Sequence, residues 1–272
     1  MIKRAAAIHD ISGLGRCSLT AALPILSALG VQCCPIPTAV LSAQTDGYRN
    51  YARVDLTDAL PDYIGHWKKN GERFDAIYTG FLNSIRQIDM VSRFIDDFRT
   101  EDTLVLVDPV MGDNGTLYDS MDRGMPDAIR TLVCHADVIT PNLTEAALLL
   151  GEAELPEEEK VWLSWAQRLR ELGAGAVVIT GIDGGDGRVF MAYADDKASG
   201  LYFTGQTPRD FPGAGDVFAG VLLGRLLQGA ALKKSVQTAA DFVAECADLT
   251  YKMQTPAREG LVFEPTLHLL IK

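Results

Sequence analysis

Residues Phe211 to Leu227 read FPGAGDVFAGVLLGRLL, and the stretch puts a carboxylate where an anion would be expected to bind. Gly213, Ala214 and Gly215 form a loop of very small residues, and an apolar run with helical spacing starts directly after them. Such a junction offers free backbone N–H groups and the positive end of a helix dipole, which together favour an anion. Asp216, at the junction, is itself an anion. Phosphoryl transfer reconciles the two. Small residues let the backbone approach a phosphoryl group, the helix N-terminus neutralises charge as it develops, and Asp216 takes the proton of an acceptor hydroxyl. A plain N-cap would also use the carboxylate, but it does not require the tiny residues before it.

Other carboxylates fall at comparable places. Asp108 ends the apolar run TLVLVD and precedes Pro109, where it could serve a turn or a ligand. Asp113 follows five residues later, and Asn142 and Glu145 form an NxxE spacing at a helix start. Carboxylate and amide oxygens suit a hard divalent cation, and Mg2+ in particular, which keeps waters and bridges phosphates. Asn142 or Thr144 could equally cap the helix, with Glu145 in its first turn. Two competing motifs are incomplete. The chain has no GxxxxGK[ST], and GLGRCS (13–18) has Ser18 where a dinucleotide fingerprint needs its third glycine. DGGDG (183–187) reads as a glycine turn between edge strands.

These groups need elements to hold them, and the sequence alternates strand and helix. Strands are expected at 3–8, 31–40, 74–79, 103–108, 137–140 and 176–180. Helices are expected at 17–29, 58–70, 85–99, 122–133, from Thr144, and at 157–172. That alternation means βαβ units and a mostly parallel sheet covered on both faces. After Gly181 come a turn and two half-exposed antiparallel edge strands, then helices at 215–228 and 233–252 and a short helix near 265–271. No repeat, linker or shift in composition divides residues 1–272, so one α/β/α domain is expected. In an open parallel sheet, ligands lie beyond the carboxyl ends of the strands. The expected strand ends are followed by His9-Asp10, by Ser42, Gln44 and Thr45, and by TGFLNS (79–84). DPVMGDNG (108–115), TPNLTE (140–145) and Thr180-Gly181 come next, with GAGD beyond the hairpin. All should line one crevice.

Composition limits the partners. A formal net charge of −11 argues against a nucleic-acid or anionic-membrane surface, so an anionic ligand needs local N–H groups or a metal. Five cysteines without CxxC spacing read as free thiols, with Cys33 and Cys34 buried. Residues 17–45 carry no charge, but Pro24, Pro35 and Pro37 interrupt them; a core helix and a buried strand fit better than a membrane span. The N-terminal apolar segment is too short for a signal peptide, so a soluble cytoplasmic protein is expected.

AIHDISGLG, PTAVLSAQT (37–45), YTGFLNS, VDPVMGDNG, ITPNLTEA and PGAGDVFAG occur in this order along nearly the whole chain. In this the chain resembles the ribokinase-like superfamily, and within it the pyridoxal/pyridoxamine kinases. The resemblance implies a three-layer α/β/α fold with a mostly parallel central sheet and antiparallel edge strands. It implies ATP-dependent phosphorylation of the 5′-hydroxymethyl group of a B6 vitamer in pyridoxal 5′-phosphate salvage, with Asp216 as general base. Backbone amides from Gly213 through Ala214 and Gly215 to Asp216 would form the anion hole. Asp108, Asn142 and Glu145 would hold Mg2+ or its waters, with Thr140 and Thr180 near the ATP phosphates. Asp10 and Thr45 fall at pyridine-contacting positions, and Phe81 where an aromatic ring faces the substrate. A homodimer is implied, and a monovalent-cation requirement is left open.

Asp10 stands where the family commonly has Ser, and Phe81 lacks the hydroxyl of the commoner Tyr. A carboxylate could pair with a protonated pyridine nitrogen, or favour an aminopyrimidine as in the related hydroxymethylpyrimidine kinases of thiamine synthesis. Further alternatives are a non-catalytic nucleotide-binding regulator and, last, a dinucleotide oxidoreductase.

Overall fold

In the computed structural model, which describes residues 1–271, the strand and helix patterns assemble into a nine-stranded sheet between two helical layers. The strands are β1 (Lys3–Ser12), β2 (Val31–Leu41), β3 (Arg53–Asp55), β4 (Ala76–Thr79) and β5 (Leu104–Val107). A short separate hairpin follows, β6 (Gly112–Asp113) with β7 (Thr116–Leu117), and then β8 (Val138–Ile139), β9 (Ala176–Asp183), β10 (Arg188–Ala194) and β11 (Ser199–Gly205). The helices are α1 (Ser18–Ala28), α2 (Leu60–Lys69), α3 (Ile85–Phe98), α4 (Met125–Val133), α5 (Leu143–Leu150), α6 (Glu159–Glu171), α7 (Ala214–Leu227) and α8 (Leu232–Lys252).

The sheet order is β11-β10-β9-β8-β5-β4-β1-β2-β3. From β9 to β2 all pairs are parallel, while β10, β11 and β3 run antiparallel at the two edges. Because β1 lies between β2 and β4, the crossovers diverge there: α1 returns on one face, α2 on the other. This is the switch point at which a parallel sheet opens a crevice beyond its strand ends.

Both faces are dry, so the central strands are apolar throughout instead of alternating. Ile77, Val105 and Val107 pack beneath α2–α6, whereas Ala76, Tyr78 and Leu106 pack beneath α1, α7 and α8. α3 shows the sequence logic of the outer layer. Ile88, Val91, Phe94, Ile95 and Phe98 share one buried face, and the Ser84 hydroxyl caps the Gln87 amide. α7 is buried almost all round, and its small residues admit α1. A Cβ on Gly224 would stand 2.4 Å from Leu29 Cδ1, and one on Gly220 3.3 Å from Ile25 Cγ2. The close approach fixes the start of α7 against the loop that precedes α1.

Several elements differ from the sequence-based expectation. β1 continues past Ile8 to Ser12, with a bulge between His9 and Ile11, so His9 and Asp10 lie in the strand and not after it. β3 and the β6–β7 hairpin were not expected; each is too short to carry a periodicity. β10 is largely buried, because α6 and α8 cover it and Trp162 meets Phe190. The segment near 265–271 is a 3₁₀ turn at Glu264–Leu269. Pro35 and Pro37 are tolerated in β2 because β3 pairs only with Ala39–Leu41, which leaves that edge open beside them. Cys34 is buried, Cys33 half-buried and Cys134 exposed, and the five thiols are free. Among the described residues no helix is long and apolar enough to cross a membrane.

Candidate active site

The ends of β1, β4, β5, β8 and β9 and the start of α7 bring most of the candidate residues into one cluster. Gly213 opens it in the left-handed region at φ +82°, where a Cβ would lie 1.9 Å from the Arg16 carbonyl oxygen. No other residue fits both that backbone and that gap. The turn presses residues 212–216 against residues 15–18 and starts α7 at Ala214, so Gly215 and Asp216 occupy its first turn, where amides lack helical acceptors.

Asp216 is 14% exposed at the side chain, and among the described residues no Lys or Arg forms an ion pair with it. Burial pushes its carboxyl up to about 7; the nearby Asp10 adds to the rise and the Ser18 backbone N–H opposes it. His9 Nδ1 lies 3.9 Å from Asp216 Oδ1, too far for a hydrogen bond, and the ring packs edge-on against Tyr78 at 4.2 Å. Full burial lowers His9 to about 3, so it stays neutral and gives Asp216 no positive charge. Tyr78 is fully buried and its hydroxyl reaches the Asp216 carbonyl at 3.5 Å.

Asp10, at the bulge of β1, is 3% exposed. One oxygen accepts from the Ser18 hydroxyl at 2.6 Å and the other from the Ser12 hydroxyl at 3.2 Å. Burial raises its carboxyl, and those hydroxyls pull it back. On the opposite side of Asp216, Asp108 follows β5 and accepts from Thr140 Oγ1 at 3.0 Å. Burial, reinforced by Asp216, pushes Asp108 up to about 8. Glu145 is raised by burial and by Asp108, against three opposing backbone N–H groups. Its Oε1 accepts from Met111 N at 3.1 Å and its Oε2 from Asn142 N at 2.8 Å.

Asn142 is both cap and strut. Its side-chain oxygen accepts from Glu145 N at 2.8 Å, completing a capping box, and Nδ2 donates to the Gly112 carbonyl at 2.8 Å. Thr180 meets it through a parallel β-bridge. A β-bridge and hydrogen bonds thus join Thr180, Asn142 and Glu145, and Thr140 joins Asp108; beyond these the influence is electrostatic, with Asp108 raising Glu145, Asp216 raising Asp108 and Asp10 raising Asp216. Thr45, Phe81 and Asp113 stand outside them. Thr45 is exposed on the loop after β2, and Phe81 is half-buried against the core under α2–α6. Asp113 is exposed on the β6–β7 turn with its oxygens on Asn114. Sequence reasoning listed His9 among the crevice-lining strand ends without giving it a role, named Ser18 only as a mismatch to the glycine pattern, and did not single out Tyr78. Ser18 carries one retrospective signal: GLGRCS breaks a glycine pattern at a residue with φ +49°.

The donors suit a divalent cation that completes its shell with non-protein oxygens. Asp108 and Glu145 are buried carboxylates with no Lys or Arg ion partner among the described residues. No three His, Cys, Asp or Glu side chains converge there as a cage. Mg2+ held by one or two carboxylates, water and phosphate fits that set.

The family model for phosphomethylpyrimidine kinase matches residues 17–260. A protein of Bacteroides thetaiotaomicron VPI-5482, solved with pyridoxal, superposes with a TM-score of 0.94 at 41% identity, covering 99% of this chain and 96% of that one. Pyridoxal kinase from Lactobacillus plantarum gives a TM-score of 0.90 at 30% identity, covering 99% and 97%. The pyridoxine/pyridoxal/pyridoxamine kinase of Bordetella avium (strain 197N) is 30% identical over 259 residues, 89% of this chain and 86% of the relative. With the family matched over most of its length and kinases of the same fold on either side of that match, this chain belongs to the phosphomethylpyrimidine kinase family of enzymes.

Proposed function

We propose that this kinase uses Mg-ATP to phosphorylate the 5′-hydroxymethyl group of a B6 vitamer. The observation that carries the mechanism is Asp216: a carboxylate with no Lys or Arg ion partner among the described residues, raised to about 7, in the first turn of α7. In that place it takes the proton of the acceptor hydroxyl. The hydroxyl oxygen bonds to the γ-phosphorus as the bond to the β–γ bridging oxygen breaks and ADP leaves. The amides at Gly213–Asp216 stabilise the charge on the transferring group. Asp108 and Glu145, with Asn142 holding the loop above them, are assigned to Mg2+ and its waters, and Thr140 and Thr180 to the phosphates. Bound there, the ion neutralises phosphate charge. Buried Asp10, exposed Thr45 and half-buried Phe81 are assigned to the substrate ring. Asp113 contributes at most through solvent, given its exposure.

A neighbour at 41% identity that was solved with pyridoxal, and B6 kinases at 30% identity, support the vitamer reading. The matched family's own name favours a second substrate, hydroxymethylpyrimidine or its phosphate. ADP release from Mg-ATP with pyridoxal, pyridoxamine, pyridoxine and hydroxymethylpyrimidine separates them. Turnover on a B6 vitamer, lost in Asp216→Ala, is expected. Turnover on the pyrimidine alone moves the substrate but not the mechanism, and ATP binding without turnover on any of the four contradicts the kinase reading.

A further inference from the structure

His9 is fully buried, and neither of its ring nitrogens has a hydrogen-bond partner among the described residues. A buried polar group without a partner is destabilising and rare, so it calls for a use. The ring is also fixed in place. It packs edge-on against Tyr78 with centroids 4.2 Å apart, and a Cβ on Gly80 would stand 2.2 Å from Nδ1, so only glycine leaves room for it. Held there, Nδ1 lies 3.9 Å from Asp216 Oδ1. That gap is about an ångström longer than a hydrogen bond, and catalytic hydrogen bonds are often this loose before the reacting groups assemble.

We propose that His9 is a positioning residue for Asp216: in its Nδ1–H tautomer the ring donates to Oδ1 as the acceptor hydroxyl docks, and so holds Oδ2 toward that hydroxyl. The opposite tautomer would set a lone pair against a carboxylate oxygen and leave a buried N–H with nothing to meet. Burial lowers His9 to about 3, so the imidazole is a neutral donor and Asp216, at about 7, is the stronger base of the two. The other titratable groups whose charge couples to Asp216 are acids: Asp10 on β1, Asp108 after β5, Cys17 before α1 and Tyr78 on β4. Tyr78 gives its hydroxyl to the Asp216 carbonyl, and the Ser18 N–H assists from the backbone. His9 is thus the side chain placed to donate to the carboxylate.

The inference rests on Asp216 being the base, and the test keeps the two apart. His9→Asn and His9→Leu separate donation from packing. The two side chains have nearly the same shape, but the asparagine amide carries an N–H group near the place of Nδ1 and leucine carries none. With saturating Mg-ATP and pyridoxal, His9→Leu should lower the plateau kcat about 10- to 100-fold, as for a reacting group displaced by about an ångström. Its acid limb should move up by about one pH unit, because the ionised carboxylate has lost a donor. His9→Asn should keep kcat within about 3-fold of wild type and leave the limb in place. A packing role gives the reverse order, since leucine suits the apolar contact with Tyr78 and a buried amide does not. Wild-type kcat in His9→Leu, an unmoved limb there, or an asparagine variant as slow as the leucine one overturns the proposal. If either variant does not fold, the nitrogen NMR spectrum of wild-type protein labelled at histidine, with Mg-ADP and pyridoxal, decides. The imidazole that stays neutral down to about pH 5 should be in the Nδ1–H form, and the Nε2–H form refutes the role. Asp216→Asn is measured in parallel. A limb that survives in it means that the base assignment has failed, whereas a limb lost there but unmoved in His9→Leu means that only the role of His9 has.

Discussion

The two sides of the crevice use buried carboxylates in opposite ways. Around Asp108 and Glu145, nearly every acceptor is already engaged by the protein: Thr140 on Asp108, Met111 N and Asn142 N on Glu145. Asp216, by contrast, has a neutral histidine at 3.9 Å and a side chain that is 14% exposed. Both sides hold protons more tightly than a free carboxyl, about 8 for Asp108 and about 7 for Asp216, chiefly because both groups are buried. The difference lies in freedom. A carboxylate locked by hydrogen bonds can wait for a cation without moving, whereas one that must accept a proton needs an open lone pair facing the substrate. Under the proposed function, one set would be neutralised by a metal and the other by the reaction.

Breaking the Asp216 side should have the largest effect. Asp216→Ala is expected to cut turnover by about 10²–10⁴, the usual contribution of a general base, while ATP affinity measured by calorimetry stays within a few-fold. Comparable losses of turnover and ATP affinity would mean that Asp216 acts through the nucleotide site. On the other side, Asp108→Asn and Glu145→Gln should lower kcat by about 10- to 100-fold and raise the Mg2+ concentration needed for half-maximal rate. Asp108→Asn should also stabilise the protein in EDTA. The folded state binds the Asp108 proton more tightly than the unfolded chain, so the group's contribution is full below about pH 4 and is lost as pH rises through about 8. The variant's melting temperature should therefore exceed wild type at pH 8, by about 2–4 °C per kcal/mol relieved, and approach it near pH 4. An equal or lower value at pH 8 would show that Asp108 is compensated by something else. Asp113→Ala should do least, less than about twofold in kcat, because its carboxylate faces solvent and its own neighbour. A larger loss would bring Asp113 into the metal side.

The same contrast governs what could be read from the sequence. Asp108 and Asp216 were legible because each sits at an abrupt change of pattern: an apolar strand that stops, or tiny residues that give way to a helix. The spacing of Asn142 and Glu145 left cap and ligand open, and the structure makes them a capping box whose glutamate also reaches Met111. The alternating strands and helices were legible because each central element is long enough, or apolar enough, to show its period. β3 and the β6–β7 hairpin were not, since two or three residues carry none. His9 and Ser18 were named but given no role, for a different reason. Their positions depend on a bulge in β1 and on a left-handed backbone, and both are fixed by residues far along the chain, such as Gly213 and Glu259.

The most direct test of the contrast is the pH dependence of kcat with saturating Mg-ATP and pyridoxal, wild type against Asp216→Asn. Asp216 must be ionised to accept the proton, so the wild-type rate should fall as pH drops through about 7, and the residual rate of Asp216→Asn should lack that limb. A wild-type limb centred near pH 4, or a limb that persists unchanged in Asp216→Asn, would contradict the claim that this carboxylate is the one neutralised by the reaction.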